Sequence, residues 1–229
     1  MISILPVTGL GEVAPGDDAA GMLADAALAV GVTDRDCLVI TSKVISKAEG
    51  KLVEAGDAAA RKAWVERESV RVLRRRGDLV ITETRHGFVC ANAGVDASNV
   101  PEGHVALLPD DPDRSARRVR DVLRGHGVDV AVVVSDTFGR PWRNGVVDVA
   151  LGVAGLRAVV DLRGTPDGNG RTLEVTEIAV ADEVAAAAEL VMGKAGNVPA
   201  AIVRGLDAAW FGEGTGRDLV RPPADDLFR

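Results

Sequence analysis

A carboxylate, a hydroxyl and two guanidinium groups follow the most apolar stretch of the chain. This segment reads VVVSDTFGRPWRNG and spans residues 132–145. A buried strand would deliver Asp136 and Thr137 to its carboxyl end, where their oxygens form the hard donor pair that Mg²⁺ or Mn²⁺ prefers. Arg140 and Arg143 follow, and a guanidinium binds phosphate or carboxylate through paired hydrogen bonds. The segment therefore predicts metal-assisted chemistry on an anionic substrate.

The residues after Asp136 predict an irregular loop, because they include Gly139, Pro141 and Gly145. A plainer interpretation of the same segment stays open. It has the strand followed by a turn, with Asp136 capping the start of a helix and the arginines lying on the surface.

A second group of oxygen donors lies in AGVDASNVPEG, residues 93–103. Asp96, Ser98 and Asn99 fall between two predicted strands and offer carboxylate, hydroxyl and amide oxygens. The same composition favours an Asx-turn, which needs no ligand. If the segment is functional, Asp96 and Asp136 are distant along the chain and have to converge in space.

Two further stretches supply features that suit a phosphorylated ligand. In ITSKVISKAEGK a strand is predicted to end in polar residues, with Ser42 and Lys47 as phosphate-binding candidates. These two are five residues apart, so only a bend brings both to one ligand; a solvated strand end is the alternative. The N-terminal LPVTGLGEVAPGDD is glycine-rich and allows close backbone approach, although it also fits an ordinary loop.

The common nucleotide-binding loops are missing. The stretch GLGEVAPG places its third glycine too late for a dinucleotide fingerprint, and neither Gly50–Lys51 nor Gly193–Lys194 is followed by Ser or Thr. No G-x-S-x-G element occurs either. A nucleotide, if bound, is held by a different arrangement. Near the C-terminal half, Asp182 and Glu183 are expected to cap a helix and complement its dipole.

Composition excludes several classes of protein. Apolar residues make up 47% of the 229 positions, which is enough for a proper core. The net charge of -7 argues against a general nucleic-acid binder. No apolar run approaches the ~20 residues of a membrane span, and the N-terminus lacks a signal-peptide pattern. Cys37 and Cys90 are expected to be buried free thiols, so a cytoplasmic protein is predicted.

Strand and helix patterns are mixed without strict alternation, which predicts an α+β fold with mixed sheets. Residues 1–206 are expected to form one domain, with two α+β subdomains possible, and 207–229 a C-terminal tail. The helices are predicted at 17–30, 57–76, 112–125 and 182–194. The strands are predicted at 36–41, 79–84, 87–94, 104–109, 128–136, 156–162, 172–181 and 198–205.

Taken together, these stretches resemble the coenzyme F420-0:L-glutamate ligase family. The resemblance runs in order from about residue 3 to 206, and GVDASNV and SDTFGRPWRNG are its most specific motifs. Members use GTP and a divalent metal to attach L-glutamate to the lactyl carboxylate of the deazaflavin coenzyme F420-0. The resemblance therefore implies Mg²⁺ or Mn²⁺ here, with K⁺ as a further candidate ion. Members are intertwined homodimers with a two-part α+β fold, and the nucleotide lies in a groove near the dimer interface.

The resemblance also implies roles for individual residues. Asp96, Asp136 and Thr137 match metal-binding positions. From the chemistry of their side chains, Asp136, Arg140 and Arg143 are expected to be catalytic, with an arginine binding the substrate carboxylate or a phosphate. The positions expected to contact the nucleotide are Leu10, Gly11, Glu12, Val13, Ser42, Lys47, Asn99, Leu190, Val191, Met192 and Gly193.

The expected reaction forms an acyl phosphate from GTP, which the glutamate amine then attacks. One position departs from the family, since Val146 stands where Gln is expected after Arg-Asn-Gly. Three alternatives remain open: a metal-dependent kinase or phosphatase, a non-catalytic nucleotide-binding module, and a ligase acting on another acyl substrate. Neither nucleic acid nor membrane is expected as a partner.

Overall fold

The computed structural model describes residues 1–228, which form twelve β-strands, five of them in a central sheet. The strands are β1 (Ser3–Val7), β2 (Cys37–Thr41), β3 (Leu52–Glu54), β4 (Ser69–Arg76), β5 (Leu79–Thr84), β6 (Val89–Ala91), β7 (His104–Ala106), β8 (Ala131–Arg140), β9 (Arg143–Ala154), β10 (Val160–Asp161), β11 (Glu177–Ile178) and β12 (Ala200–Arg204).

Five α-helices occur within residues 1–228, together with short 3₁₀ turns. The α-helices are α1 (Ala19–Val30), α2 (Ser42–Ala48), α3 (Ala58–Glu68), α4 (Pro112–Gly125) and α5 (Val180–Met192). The 3₁₀ turns are Asn92–Gly94, Ala208–Trp210, Gly216–Leu219 and Pro223–Asp225. The predicted α+β class with mixed sheets is confirmed. No helix in this described part of the chain has the length and apolar character needed to cross a membrane.

The largest sheet has the strand order β1-β12-β2-β8-β9. Only β2 and β8 run parallel to each other, with Thr41 opposite Ser135, and the other neighbours are antiparallel. Because β2 and β8 run in the same direction, their carboxyl ends meet at one edge. The polar residues that follow β2 and those at the end of β8 therefore lie at the same edge of the sheet.

Helices cover both faces of this sheet, which explains why its inner strands are apolar throughout. Side chains alternate along β2: Leu38 and Ile40 pack with α1 and α4, whereas Cys37 and Val39 pack with α5. Both cysteines are free and buried, as predicted.

Smaller sheets lie between α2 and α4 in the sequence. β3 pairs with β7, and β4, β5 and β6 form an antiparallel sheet. A small apolar cluster around Ala55, Val105 and Leu107 packs beneath α3. The face of β4–β6 carries exposed apolar side chains, among them Val70 and Leu79.

The predicted helix over 57–76 is wrong in its second half. The helix ends at Glu68, and 69–76 form β4, which pairs antiparallel with β5. Gly77 and Asp78 connect the two strands, and Gly77 has a φ of 59°. A two-residue Gly-Asp connection between extended segments is a hairpin signal. Pairing with β5 therefore overrides the helical preference of the arginine-rich stretch.

The predicted loop after Asp136 is a hairpin instead. β8 continues to Arg140, and β9 starts at Arg143, so only Pro141 and Trp142 form the turn. Asp136 lies within a strand, which excludes the helix-capping interpretation. Backbone hydrogen bonds to the long apolar strand β9 extend β8 beyond the end that its polar residues suggested.

Three other element predictions need correction. Residues 42–48 form a helix rather than a polar strand end. The strands expected at 156–162 and 172–181 are reduced to β10 and β11, of two residues each. Asp182 does not cap its helix, because α5 begins at Val180 and the Asp182 carboxylate accepts a hydrogen bond from Ala150 N at 2.8 Å.

An ion pair between a buried carboxylate and a partly exposed arginine links β2 to β12 in the large sheet. Asp36, 1% exposed just before β2, accepts hydrogen bonds from Arg204 Nε at 2.9 Å and Nη2 at 2.7 Å. Burial by itself raises the pKa of Asp36, but the hydrogen bonds from Arg204 and Thr33 outweigh it and hold the pKa below its ordinary value. Asp36 therefore stabilises the fold above its ordinary pKa, and this stabilisation is lost as the pH falls through its lowered pKa.

We expect Asp36→Asn to lower the free energy of unfolding by about 1–2 kcal/mol at pH 7, because the hydrogen bonds from Arg204, whose side chain is 38% exposed, lose their anionic acceptor. The difference in the free energy of unfolding between this variant and the wild type should become smaller below about pH 4. Urea denaturation at several pH values measures it. The exposed pair Asp161–Arg163 provides the control, since water screens this pair and Asp161→Asn should leave the free energy of unfolding close to that of the wild type.

Candidate functional site

The carboxyl edge of β2 and β8 borders a cavity of about 550 Å³. This volume lies in the range of small-molecule sites. We call it the large cavity. Its lining comes from the N-terminal loop, the start of α2, the loop after Asp96, the β8–β9 hairpin and the chain after α5. The lining residues are Leu10, Gly11, Glu12, Val13, Thr41, Lys43, Val44, Lys47, Asn99, Val100, Pro101, Asp136, Thr137, Asp148, Met192, Gly193, Lys194, Asn197, Val198 and Pro199.

Helix α2 presents two lysines to the large cavity. Lys43 and Lys47 are four residues apart, so they lie on one side of the helix. Ser42 and Ser46 are buried at 3% and 1% exposure and are absent from the lining. The ammonium group of Lys47 contacts the carboxylate of Glu12 across the cavity. A helix, rather than a bend, therefore sets which polar side chains after β2 reach a ligand.

Asp96 and Asp136 line a second, smaller chamber of about 280 Å³. We call it the carboxylate chamber. It shares Lys43, Asp136, Thr137 and Lys194 with the large cavity, so the two spaces adjoin. Two aspartates separated by forty residues of sequence thus meet in one space.

Lys43 holds Asp96 in the carboxylate chamber. Its Nζ lies 2.5 Å from Asp96 Oδ2 and donates a hydrogen bond to Ser98 Oγ at 2.7 Å. Ser98 in turn donates to Asp96 through its backbone N and its hydroxyl. Burial raises the pKa of Asp96, but the hydrogen bonds from Lys43 and Ser98 outweigh it, so the net shift is downward. Asp96 is therefore an anion near neutral pH.

Asp136 carries a charge that the protein does not neutralise. Burial is the main cause that raises its pKa to about 6; the charges of Asp96 and Asp148 act in the same direction, whereas the hydrogen bond from Thr137 N and the charge of Lys43 oppose them. Within residues 1–228 its carboxylate forms no salt bridge. Its hydrogen bond comes from Thr137 N at 2.9 Å. A desolvated carboxylate beside another anion favours binding of a cation.

Asp148 organises the other face of the hairpin. It is 4% exposed, lies opposite Thr137 in the β8–β9 register, and accepts the Thr137 hydroxyl at 2.6 Å and the Ser135 hydroxyl at 3.1 Å. Lys194 Nζ lies 3.1 Å from Asp148 Oδ1 and also contacts Thr137 Oγ1. Because Asp148 takes the single hydroxyl proton of Thr137, the Thr137 oxygen offers lone pairs to a cation.

The donors fit Mg²⁺ or Mn²⁺ that is shared with a phosphorylated ligand. Within residues 1–228, no cluster of three His, Cys, Asp or Glu side chains could enclose a metal. Mg²⁺ is ordinarily held by one or two carboxylates with substrate phosphates and water completing the shell. Asp96 and Asp136 with the Thr137 hydroxyl suit that pattern. At present Lys43 and Lys194 place ammonium groups on two of these donors.

Comparison with known proteins identifies the family of this chain. The family described as F420-0:gamma-glutamyl ligase matches residues 9–205. The chain belongs to this family. A protein named coenzyme F420:L-glutamate ligase from Methanothermobacter thermautotrophicus is 44% identical over 249 aligned positions, covering 100% of this chain and 99% of the relative. Proteins of the same name from Methanopyrus kandleri (43%; 100% and 98% covered) and Methanocaldococcus jannaschii (40%; 86% of each) are also similar.

Most nucleotide positions implied by the family lie around the large cavity. Those in its lining are Leu10, Gly11, Glu12, Val13, Lys47, Asn99, Met192 and Gly193. Three others do not line it. Ser42, the first residue of α2, is buried. Leu190 is 80% exposed on the outside of α5, and Val191 packs towards the core on the α5 side of the sheet. Helical geometry separates them, because neighbouring residues of a helix point in different directions.

The arginines expected to be catalytic stand apart from both spaces. Arg140 and Arg143 lie at the tip of the β8–β9 hairpin, and neither lines the large cavity or the carboxylate chamber. Arg140 Nη2 donates to Asn144 O at 2.6 Å across the turn. Val146, the departure from the family pattern, is 60% exposed on the same hairpin and lines neither space.

Asp148 and Lys194 join the site without having been predicted from sequence. Asp148 is the one charged residue in the apolar run VVDVALG. A single carboxylate at an inward position of such a strand indicates a functional residue. Its pairing with Thr137 depends on the hairpin register, which the expected loop concealed. Lys194 follows the end of α5, where the sequence offers no comparable signal.

We expect Asp136→Asn to stabilise the metal-free protein at pH 8 by up to about 3 kcal/mol, because the amide removes a desolvated charge. The pKa of Asp136 is raised in the folded state, so ionisation destabilises the fold as the pH rises from about 4 to 6. The stability gained by Asp136→Asn relative to the wild type should therefore become smaller as the pH falls from about 6 to 4. Thermal unfolding with a chelator present measures it.

Asp36→Asn serves as the control of opposite sign in the same buffers, since the pKa of Asp36 is lowered. A loss of stability in Asp136→Asn at pH 8 would contradict the assignment of Asp136 as an uncompensated anion.

Proposed function

We propose that this protein is a GTP-dependent ligase that joins L-glutamate to the lactyl carboxylate of coenzyme F420-0 through an acyl phosphate. The observation that carries the proposal is the meeting of Asp96 and Asp136 in a chamber adjoining the large cavity. The family and the names of its relatives support the substrates. The product is an amide, and the pathway is the biosynthesis of coenzyme F420.

GTP suits the large cavity in volume and charge. Lys43 and Lys47 would meet its phosphates, and the backbone of Gly11 and Gly193 allows close approach of the ligand. The protein is acidic overall, so a triphosphate has to be held by local cations rather than by a general positive field. Asp96, Asp136 and Thr137 would hold Mg²⁺ or Mn²⁺, with K⁺ a possible further ion. The metal supplies neutralisation of the charge that develops during phosphoryl transfer.

Two bond exchanges complete the reaction. A lactyl carboxylate oxygen attacks the γ-phosphorus of GTP, the bond to the β-phosphate oxygen breaks, and acyl phosphate and GDP form. The glutamate amine then attacks the acyl carbon. The carbon–nitrogen bond forms, the bond to the phosphate oxygen breaks, and the amine proton leaves with the phosphate. No covalent protein nucleophile is needed, and the protein's task is to position charges.

The lysines give the site a way to accept its ligands. Lys43 and Lys194 neutralise Asp96 and Asp148 while the site holds no other cation. When metal and phosphates enter, each ammonium group exchanges its carboxylate partner for a phosphate oxygen within the reach of its flexible stem. The charges of the lysines and of the carboxylates are thereby compensated both in the free site and in the site that holds metal and nucleotide.

We also propose a homodimer in the cytoplasm. The β4–β6 sheet exposes Val70, Val72, Leu79 and Val89, and β4 forms an open edge, which is an arrangement that a second chain would cover. Contact between two copies at the hairpin tip would give the distant arginines a route to a substrate bound by the neighbour. The free buried thiols agree with a reducing compartment.

Incubation with F420-0, GTP, Mn²⁺ and L-glutamate should give products heavier by whole glutamyl units in mass spectrometry. Asp136→Ala should abolish these products while the fold survives, because the metal loses a carboxylate ligand. Val175→Ala, at a site 85% exposed and outside both spaces, is the matched control. GTP hydrolysis that needs neither glutamate nor F420-0 would instead indicate a phosphatase, and transfer by Asp136→Ala at a normal rate would refute the metal assignment.

A double-mutant cycle tests whether Asp148 acts through Thr137. We expect Asp148→Ala to weaken Mn²⁺ binding at least about tenfold, since loss of a residue that orients a metal ligand usually costs 10–100-fold. In a Thr137→Val background the same change should add little. Mn²⁺ binding by paramagnetic resonance with GTP present measures both. Ser135→Ala, which removes another hydrogen bond to Asp148, should stay near wild type; full additivity would mean that Asp148 acts independently of Thr137.

A further inference from the structure

A third cavity, of about 310 Å³, lies along the β8–β9 hairpin and is lined by aromatic rings. We call it the aromatic cavity. Phe88, Phe138 and Phe228 contribute rings, and Val149 and Val220 contribute apolar surface. Phe88 and Phe138 meet edge to face at 6.4 Å between centroids, and Phe228 lies 4.8 Å from the ring of Trp142. The arrangement offers ring faces and edges to a flat, apolar ligand.

The aromatic cavity borders the carboxylate chamber at Phe138. Phe138 lines both, and it lies two residues beyond Asp136 on the same face of β8. The β-bulges of the hairpin fall outside this interval, so the alternation holds between them. Two strand residues span ~7 Å. A ligand lying against Phe138 is therefore one short tether away from the two aspartates.

A carboxyl group at the wall of the cavity supplies polar recognition. Asp182 Oδ1 accepts the Ala150 N–H at 2.8 Å, and within residues 1–228 no hydrogen bond to Oδ2 is found. Burial raises the pKa of Asp182 above its ordinary value. Asp182 Oδ2 can therefore accept a hydrogen bond from a ligand. Together with the aromatic walls, this acceptor suits a planar heterocycle whose edge alternates carbonyl and N–H groups. The proposed reaction does not otherwise use Asp182.

We propose that the aromatic cavity binds the deazaflavin ring of the acceptor, with Phe88, Phe138 and Phe228 against the ring and Asp182 at its pyrimidinedione edge. This inference rests on the proposed function, because it takes the acceptor from there. The polyol phosphate tether then runs past Phe138, and the lactyl carboxylate reaches the carboxylate chamber. Nucleotide and acceptor approach the same carboxylates from two cavities, the nucleotide through the large cavity and the acceptor through the aromatic cavity.

Titration of deazaflavin fluorescence tests the site on the full chain. The probes are F420-0 and the ribityl deazaflavin fragment that lacks phosphate and lactate. Phe228→Ala should weaken binding of both probes about fivefold, in keeping with the loss of one aromatic contact. Asp182→Asn should weaken it about tenfold while retaining an acceptor for Ala150 N. GTP affinity should be unchanged in both variants.

Leu227→Ala is the matched control for Phe228→Ala. Leu227 is the preceding residue, is 86% exposed and does not line the cavity, so its variant should bind both probes as the wild type does. Phe228 is itself 57% exposed, which makes misfolding of its variant an unsuitable explanation for weaker binding.

The outcomes separate the two proposals. A wild-type protein that binds GTP but not F420-0 refutes the proposed function. If the wild type binds both probes while Phe228→Ala and Asp182→Asn bind them equally well, the cavity assignment is wrong and the proposed function stands. Sedimentation of the same variants completes the test, because a shift from dimer to monomer with unaltered ring affinity would assign the aromatic surface to a subunit contact.

Discussion

The site depends on the burial of the Asp136 carboxylate beside a second anion. Desolvation and the charge of Asp96 both disfavour its ionised form, and the protein supplies no salt bridge to it within residues 1–228. A protein keeps such an arrangement at a cost in stability, and under the proposed function a bound cation would compensate for it. The neighbouring carboxylates Asp96 and Asp148 are also compensated by positive charge, since each forms an ion pair with a lysine.

Sheet topology places these groups together. The parallel pairing of β2 and β8, with Thr41 opposite Ser135, starts α2 beside the strand that carries Asp136. The lysines of α2 and the aspartates of the hairpin therefore share one edge without being neighbours in sequence. This is the edge at which open sheets with parallel strands commonly bind ligands. The antiparallel strand β9 then adds Asp148 by register.

The β8–β9 hairpin connects the three spaces of the site. Opposite faces of β8 carry Thr137 and Asp136, because side chains alternate along a strand. Asp136 and Thr137 both line the large cavity and the carboxylate chamber, and Phe138 lines the carboxylate chamber and the aromatic cavity. Under the proposed function, the γ-phosphate and the acyl acceptor meet at this part of β8.

Local sequence was sufficient to predict the mixed α+β class, the buried strand before Asp136 and the oxygen donors at Asp96 and Thr137, because these follow from apolar runs and from side-chain chemistry. The other features depend on contacts between distant segments. Pairing with β5 turned residues 69–76 from helix to strand, and pairing with β9 turned an expected loop into a hairpin. The role of Asp148 could be seen only there, because register is a contact between distant segments and no local pattern records it.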